Sequence, residues 1–188
     1  MHHARSLIRL LSWVNLVQLR CFAAISVALV AVIAVVIALG VLFRYVLNDS
    51  LSWAEELAKY AMLWLVFTAA PIALRLGMHP GIDMLSTRFP GRVEQVLKAI
   101  VSLGIAAFCG FLAIKGHQFA WNGKTQVAIS IGDLSMYWIF VSIPLGMLSM
   151  ALVGLQQFLE HLVAAVLGTT PEPDPFSVRM QHVMDEQA

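Results

Sequence analysis

The feature that most constrains this chain is a long stretch without a charged side chain, which extends from Cys21 to Phe43. A helix that crosses the hydrocarbon core of a bilayer needs about 20 apolar residues, and this stretch is longer than that. The apolar core of a secretory signal is only about 7–15 residues long, so the stretch is interpreted as an uncleaved membrane span. The composition agrees, because 60% of the residues are hydrophobic and 12% are charged, whereas soluble domains are about 45–50% apolar and about 25% charged.

Three further charge-free stretches follow the first one. They are Tyr60–Leu74, Ala99–Ile114 and Leu134–Leu159. The two shorter ones are flanked by lysines whose long side chains can reach the lipid headgroups, so each is extended into a full span. The predicted fold is therefore an all-α membrane protein with four transmembrane helices. The predicted domain covers residues 21–167, with spans at about 21–43, 53–76, 95–117 and 134–160.

The two ends of the chain differ from this pattern. Apolar side chains share one helical face of residues 1–20, namely Leu7, Leu10, Leu11, Val14 and Val17. Polar side chains share the opposite face, namely Arg5, Arg9, Ser12 and Asn15. This arrangement predicts an amphipathic helix that lies in the membrane interface, with Trp13 as an anchor. Residues 168–188 begin with a proline-rich stretch and are predicted to form a disordered tail.

Positive charge is divided unequally between the two sides of the predicted spans. Eight of the 12 Lys and Arg residues fall in the N-terminal segment, the second connection and the tail, and four fall in the other connections. An excess of positive charge marks the cytoplasmic side of a membrane protein. Both termini are therefore predicted to be cytoplasmic.

The sequence offers little catalytic or cofactor chemistry. The four charge-free stretches contain no Asp, Glu, His, Lys or Arg, which argues against an ion pathway or a substrate site made by this chain alone. No two of His79, His117 and His161 are expected at one depth in the bilayer, where a pair of haem ligands would have to face each other. We expect no cofactor, no metal and no enzyme activity. The net charge of +1 gives no indication of a nucleic-acid partner.

Carboxylates cluster at the predicted start of span 2. Ser52-Trp53-Ala54-Glu55 fits a capping box, and Glu56 adds a second carboxylate at the positive end of the helix dipole. Together with Asp49 and Asp133 they could also form a docking surface for a soluble partner. The two roles are compatible, and both stay open at this point.

Prolines and glycines inside the spans indicate close packing. Pro71 and Pro144 each remove a backbone donor and bend a helix. Lipid cannot satisfy the broken backbone, so these positions predict contact with protein, and Gly146 permits close helix approach. Charged residues also punctuate the second connection, namely Arg75, His79, Asp83, Arg88 and Arg92. That connection suits an interfacial segment, held either within the chain or against a second subunit.

Taken together and in order, these motifs resemble a known family over about residues 39–154. They are Phe43-Arg44-Tyr45, Leu51-Ser52-Trp53-Ala54-Glu55-Glu56, Arg75, Gly77-Met78-His79-Pro80-Gly81-Ile82-Asp83, Arg88-Phe89-Pro90 and Ile143-Pro144-Leu145-Gly146. The chain is similar to the small, DctQ-type membrane subunit of tripartite ATP-independent periplasmic (TRAP) transporters.

The resemblance implies a function in the bacterial inner membrane. A periplasmic substrate-binding protein would capture an organic acid, and a large multi-span permease subunit would move it inward with an ion gradient. The small subunit would pack against the permease as a scaffold among membrane lipids. Two sets of contact residues follow: Arg44, Asp49, Trp53, Glu55 and Glu56 for the binding protein, and Pro71, Pro144 and Gly146 for the permease. A haem-bearing anchor of a redox complex, a small homo-oligomeric transporter and a membrane-bound enzyme are the alternatives.

Overall fold

The computed structural model describes residues 2–77, 92–167 and 178, with side chains in the first helix at residue 8 and from residue 10 onward. Four long helices account for most of these residues: α1 (His2–Tyr45), α2 (Ser52–Arg75), α3 (Arg92–Asn122) and α5 (Ser142–Leu167). A 3-10 turn (Gly123–Thr125) and the short helix α4 (Tyr137–Phe140) lie between α3 and α5. Within the described part of the chain, four helical segments are long and apolar enough to cross a membrane. The predicted all-α membrane fold with four transmembrane helices is thereby confirmed.

The first helix continues through the boundary predicted at residue 20. The predicted interfacial helix and the predicted first span form one helix of 44 residues, because nothing in the apolar sequence stops helix propagation there. The position of its first turns relative to the membrane stays a prediction. The predicted tail lies outside the described residues, apart from Val178.

The polar face of the N-terminal part of α1 is the face that packs. Asn15 and Leu19 are only 2% and 1% exposed, whereas Trp13, Val14 and Val17 are exposed. Apolar side chains need no protein cover in lipid, but polar groups do. The opposite faces predicted from the sequence are thus present, and Asn15 is directed toward protein.

The last predicted span is interrupted near Pro144. Helix α4 ends at Phe140, and α5 begins at Ser142 with Pro144 in its first turn. A proline ring collides with the carbonyl group four residues earlier, which is that of Phe140 here. The interruption therefore lies where this proline is expected to disturb the helix.

The described residues divide into two compact units. Unit 1 comprises the described parts of Met1–Arg20, Pro71–Gly110 and Leu148–Ala188, and unit 2 comprises Cys21–Ala70 and Phe111–Met147. In unit 1, Leu19, Leu74 and Val153 form a buried cluster. In unit 2, the buried cluster consists of Val36, Ala54 and Ala58.

Small residues allow helices to approach closely within each unit. In unit 1, a Cβ atom on Gly154 would lie 3.2 Å from the backbone oxygen of Ser102. In unit 2, a Cβ atom on Gly146 would collide with the backbone oxygen of Phe67. Both glycines therefore serve packing within this chain.

Candidate partner-binding surface and buried polar network

One carboxylate in unit 2 holds the loop between α3 and α4. The backbone N–H of Ile129 donates to Oε1 of Glu56 at 3.0 Å, and that of Ser130 donates to Oε2 at 2.6 Å. The hydroxyl of Tyr60, one turn further along α2, also donates to Glu56. Glu56 thereby fixes the loop to the first turn of α2.

The loop itself is a narrow antiparallel turn. Its two sides are joined by hydrogen bonds from the N–H of Ala128 to the carbonyl of Leu134 and from the N–H of Met136 to the carbonyl of Gln126, both 2.9 Å long. Gly132 has a φ of +66°, which glycine adopts without strain. The side chain of Ile129 is 95% exposed on this turn. The loop thus presents two exposed apolar side chains, Ile129 and Val127, the latter 59% exposed.

A second contact closes the connection between α1 and α2. Nη2 of Arg44 donates to Oε1 of Glu55 at 2.8 Å, and the two side chains are 54% and 61% exposed. Asp49 and Trp53 are exposed on the same connection. The structure therefore pairs Arg44 with Glu55. Asp49 and Trp53 are close to this pair in sequence and lie on the same exposed connection.

Glu55 and Glu56, the two glutamates predicted to cap α2, accept hydrogen bonds from other segments of the chain. The helix does begin at Ser52, as the capping pattern indicates. However, the Glu55 carboxylate accepts a hydrogen bond from Arg44, and Glu56 accepts from a loop more than 70 residues away. Their contacts join separate segments of unit 2.

Unit 1 contains a buried ion pair. Nη1 and Nη2 of Arg75 donate to the two carboxylate oxygens of Glu160 at 2.9 and 3.2 Å. The side chains are 6% and 18% exposed. From sequence, Arg75 is predicted to belong to an interfacial segment held either within the chain or against a second subunit, and the structure pairs Arg75 with Glu160 of the same chain. Neighbouring groups of unit 1 cover most of this pair.

A line of hydrogen bonds continues from the ion pair to α1. Nε2 of Gln156 donates to Oε1 of Glu160 at 2.7 Å, and Nδ2 of Asn15 donates to Oε1 of Gln156 at 2.6 Å. Asn15 also donates to the backbone oxygen of Leu152 at 3.3 Å. Three helices, α1, α2 and α5, are thus joined by one polar network, which a low-dielectric environment strengthens.

The structure distributes the other predicted site residues as follows. Pro71 is buried in unit 1, and Gly146 is buried in unit 2. Pro144 packs against α3 at Gly116. His79, Asp83 and Arg88 lie outside the described residues. Sequence reasoning missed Gln156 and Glu160 in the network. Their spacing of four residues, which places both on one face of a helix, was the available signal.

Comparisons with known proteins agree with this architecture. Residues 33–164, more than half of the chain, match the family model described as tripartite ATP-independent periplasmic transporters, DctQ component. The chain is 25% identical over 146 residues to the sialic acid TRAP transporter small permease protein SiaQ of Vibrio cholerae, covering 78% of this chain and 83% of that protein.

Two further relatives extend the comparison. The C4-dicarboxylate TRAP transporter small permease protein DctQ of Vibrio cholerae is 29% identical over 83 residues, which is 44% of this chain and 35% of that protein. The sialic acid TRAP transporter permease protein SiaT of Haemophilus influenzae is 29% identical over 115 residues, which is 61% of this chain and 18% of that protein. With its four membrane-length helices, the chain is a multi-pass bacterial membrane protein. It belongs to the DctQ component family of the tripartite ATP-independent periplasmic transporters.

Proposed function

We propose that the chain is the scaffold subunit of a TRAP transporter that takes up an organic acid with an ion gradient, and that it performs no catalysis. The exposure of α1 carries this proposal: only 6% of the most hydrophobic part of that span is buried within the chain. A helix that is apolar on all sides requires cover from lipid or from another protein. Relatives that carry the names of sialic acid and C4-dicarboxylate transporters support a carboxylate as the cargo.

The partner that covers α1 is a large permease subunit. The exposed apolar side chains of α1 in unit 2 include Val27, Val30, Val32 and Val35. The match to 18% of the longer SiaT permease supports close proximity, since a segment similar to this chain forms part of that protein. Gly146 and Pro71 are already packed within the chain, so α1 offers the larger free surface for this contact.

The contacts within this chain are of the kind expected in a rigid scaffold subunit. The ion pair between Arg75 and Glu160 ties α2 to α5 in unit 1, and Glu56 ties α2 to the α3–α4 loop in unit 2. Such contacts hold helix ends in one arrangement while a permease moves its cargo. The scaffold role requires this rigidity and no substrate site.

A periplasmic binding protein docks at the connection between α1 and α2. The excess of positive charge in the N-terminal segment, the second connection and the tail supports an inner-membrane orientation with both termini in the cytoplasm. In that orientation the connection between α1 and α2 faces the periplasm. Arg44, Asp49, Trp53 and Glu55 are exposed there. Glu56 acts indirectly by holding the loop that presents Ile129. Arginine and tryptophan are enriched at protein interfaces, and exposed charges steer the approach of a partner.

The experiment that tests the scaffold proposal is co-purification of the tagged chain with its permease in mild detergent, combined with uptake in vesicles. We expect near-equal amounts of the two subunits and uptake that requires both. Recovery of the chain alone, under conditions that preserve other membrane complexes, would contradict the proposal.

Docking is tested separately with an Asp49→Lys and Glu55→Lys double variant. Glu56 stays intact, so the loop stays in place. We expect about tenfold weaker binding of the periplasmic protein with normal co-purification of the permease. Lys115→Glu, a charge reversal at an exposed site outside both the α1–α2 connection and the α3–α4 loop, is the control. Equal binding by the double variant and this control would exclude docking at the connection.

A further inference from the structure

An apolar groove lies between the last turns of α1 and the first turn of α2 in unit 2. Its volume is about 190 Å³, and its apolar lining includes Val36, Gly40, Val41 and Ala54. The groove is open at Gly40 because glycine has no side chain that would fill it. A Cβ atom at this position would have only the Cβ of Ala54 within 4 Å, at 3.7 Å. The groove is too small for a helix, whose diameter with side chains is about 10–12 Å. It suits a thin, flexible apolar chain.

A polar hollow adjoins the groove. Its volume is about 450 Å³. The two hollows share Arg44, Ser50, Leu51 and Glu55 in their linings. Lys59 is among the residues that line the polar hollow only. The apolar groove along the span therefore opens into the polar hollow at the end of that span.

The polar hollow is lined by two cations, Arg44 and Lys59, and by two carboxylates, Glu55 and Glu56. Glu55 is paired with Arg44, and Glu56 accepts hydrogen bonds from Tyr60 and from the α3–α4 loop. A guanidinium group has five N–H donors, so Arg44 retains donors beyond the bond to Glu55. Lys59 is exposed and has no ion-pair partner among residues 2–77 and 92–167. Both cations in the wall of the polar hollow are thus available to bind an anion, whereas both carboxylates already have partners within the chain.

We propose that the two hollows together bind one membrane phospholipid. The phosphate group lies at Arg44 and Lys59, and one acyl chain fills the groove between α1 and α2. Arginine matches phosphate oxygens with directed hydrogen bonds, and lysine adds a compact positive charge. The lipid fills the space beside Gly40 and supports the end of α1. This site goes beyond the scaffold role. It shares Arg44 with the proposed docking surface, and its test uses no binding protein.

The test is native mass spectrometry of the full chain, purified in mild detergent together with any permease that accompanies it. We expect wild-type protein to retain a phospholipid. An Arg44→Gln and Lys59→Gln double variant removes both phosphate contacts, and Gly40→Leu fills the groove. Each change should lower the ratio of lipid-bound to lipid-free protein about tenfold, as expected for loss of charged hydrogen bonds or of the space for the chain.

Matched controls separate the site from general lipid binding. Lys115→Gln removes an exposed lysine elsewhere in unit 2, and Gly104→Leu adds a side chain at a helical glycine where a Cβ atom would have open space. Both controls should retain lipid at the wild-type level. Helix content from circular dichroism and the melting temperature establish that every variant is folded.

Two outcomes would overturn the proposal. One is equal lipid retention by the site variants and the controls. The other is a photo-crosslinker at Ile37, which lines the groove, that labels a protein segment and no lipid, because the occupant would then be a partner subunit. Normal co-purification of the permease in these variants keeps the scaffold proposal independent of the result.

Discussion

Arg75 and Glu160 are 85 positions apart in sequence and share two hydrogen bonds, of 2.9 and 3.2 Å, between the guanidinium group and both carboxylate oxygens. The geometry is bidentate, which is the strongest arrangement for this pair of side chains. Little of either side chain is exposed. Loss of one partner would leave the other as an uncompensated charge away from water.

Arg75→Gln is therefore expected to destabilise the protein by about 3–5 kcal/mol, the usual cost of breaking a buried ion pair by removing one partner. The measurement is the apparent melting temperature in detergent. Arg44→Gln is the control, since it breaks an exposed pair whose contribution is about 1 kcal/mol or less. Replacing Arg75 and Glu160 together by Met should recover much of the loss. If Arg75→Gln has the same melting temperature as the wild-type protein, water must reach the pair.

Glu56→Gln is expected to loosen the α3–α4 loop without unfolding the helices. The neutral amide is a weaker acceptor than the carboxylate for the N–H groups of Ile129 and Ser130. Hydrogen exchange at these two amides should accelerate roughly three- to tenfold. Glu55→Gln, one residue away and bonded to Arg44, should leave their exchange unchanged. If both variants accelerate exchange equally, the loop is held by something other than Glu56.

The four spans could be predicted because hydropathy summed over about 20 residues is a property of the chain itself. The end of the interfacial segment could not be located in the same way. Residues on both sides of Arg20 favour helix, so α1 continues across it. The motifs taken in order from Phe43 to Gly146 indicated the family, and those around Arg44 and Glu55 marked the connection that carries the exposed ion pair.

The partners of individual polar residues were harder to predict. Glu56 stands at a helix start, and local rules assign such a carboxylate to the helix dipole. Its actual donors, Ile129 and Ser130, come from a distant loop. Arg75 and Glu160 likewise resemble ordinary span-end anchors. Long-range pairing depends on which helices are neighbours, and hydropathy does not encode that.

Asn15 provides a test of the α1 packing that the amphipathic pattern left open. Asn15→Ala removes the donor to Gln156 and to the backbone oxygen of Leu152. Because a buried acceptor is then unsatisfied, we expect a loss of about 1–3 kcal/mol, measured as a lower melting temperature. Val14→Ala, at the exposed neighbouring position, should change stability by about 0.5 kcal/mol or less. Equal effects at the two positions would show that the polar face of α1 does not pack on α5.

Gly146→Ala is expected to force α2 and α5 apart within unit 2. The nearest atom to the added Cβ is the backbone oxygen of Phe67, which no rotamer change can move. Overpacking of this kind typically costs about 1–3 kcal/mol, and trimming Phe67 to Ala should not restore the loss. Gly104→Ala is the control: no atom lies within 4 Å of its added Cβ, and alanine favours helix over glycine by up to about 1 kcal/mol. The melting temperature should therefore fall for the first variant and stay equal or rise for the second. Equal melting of the two would mean that the helices are not in backbone contact at Gly146.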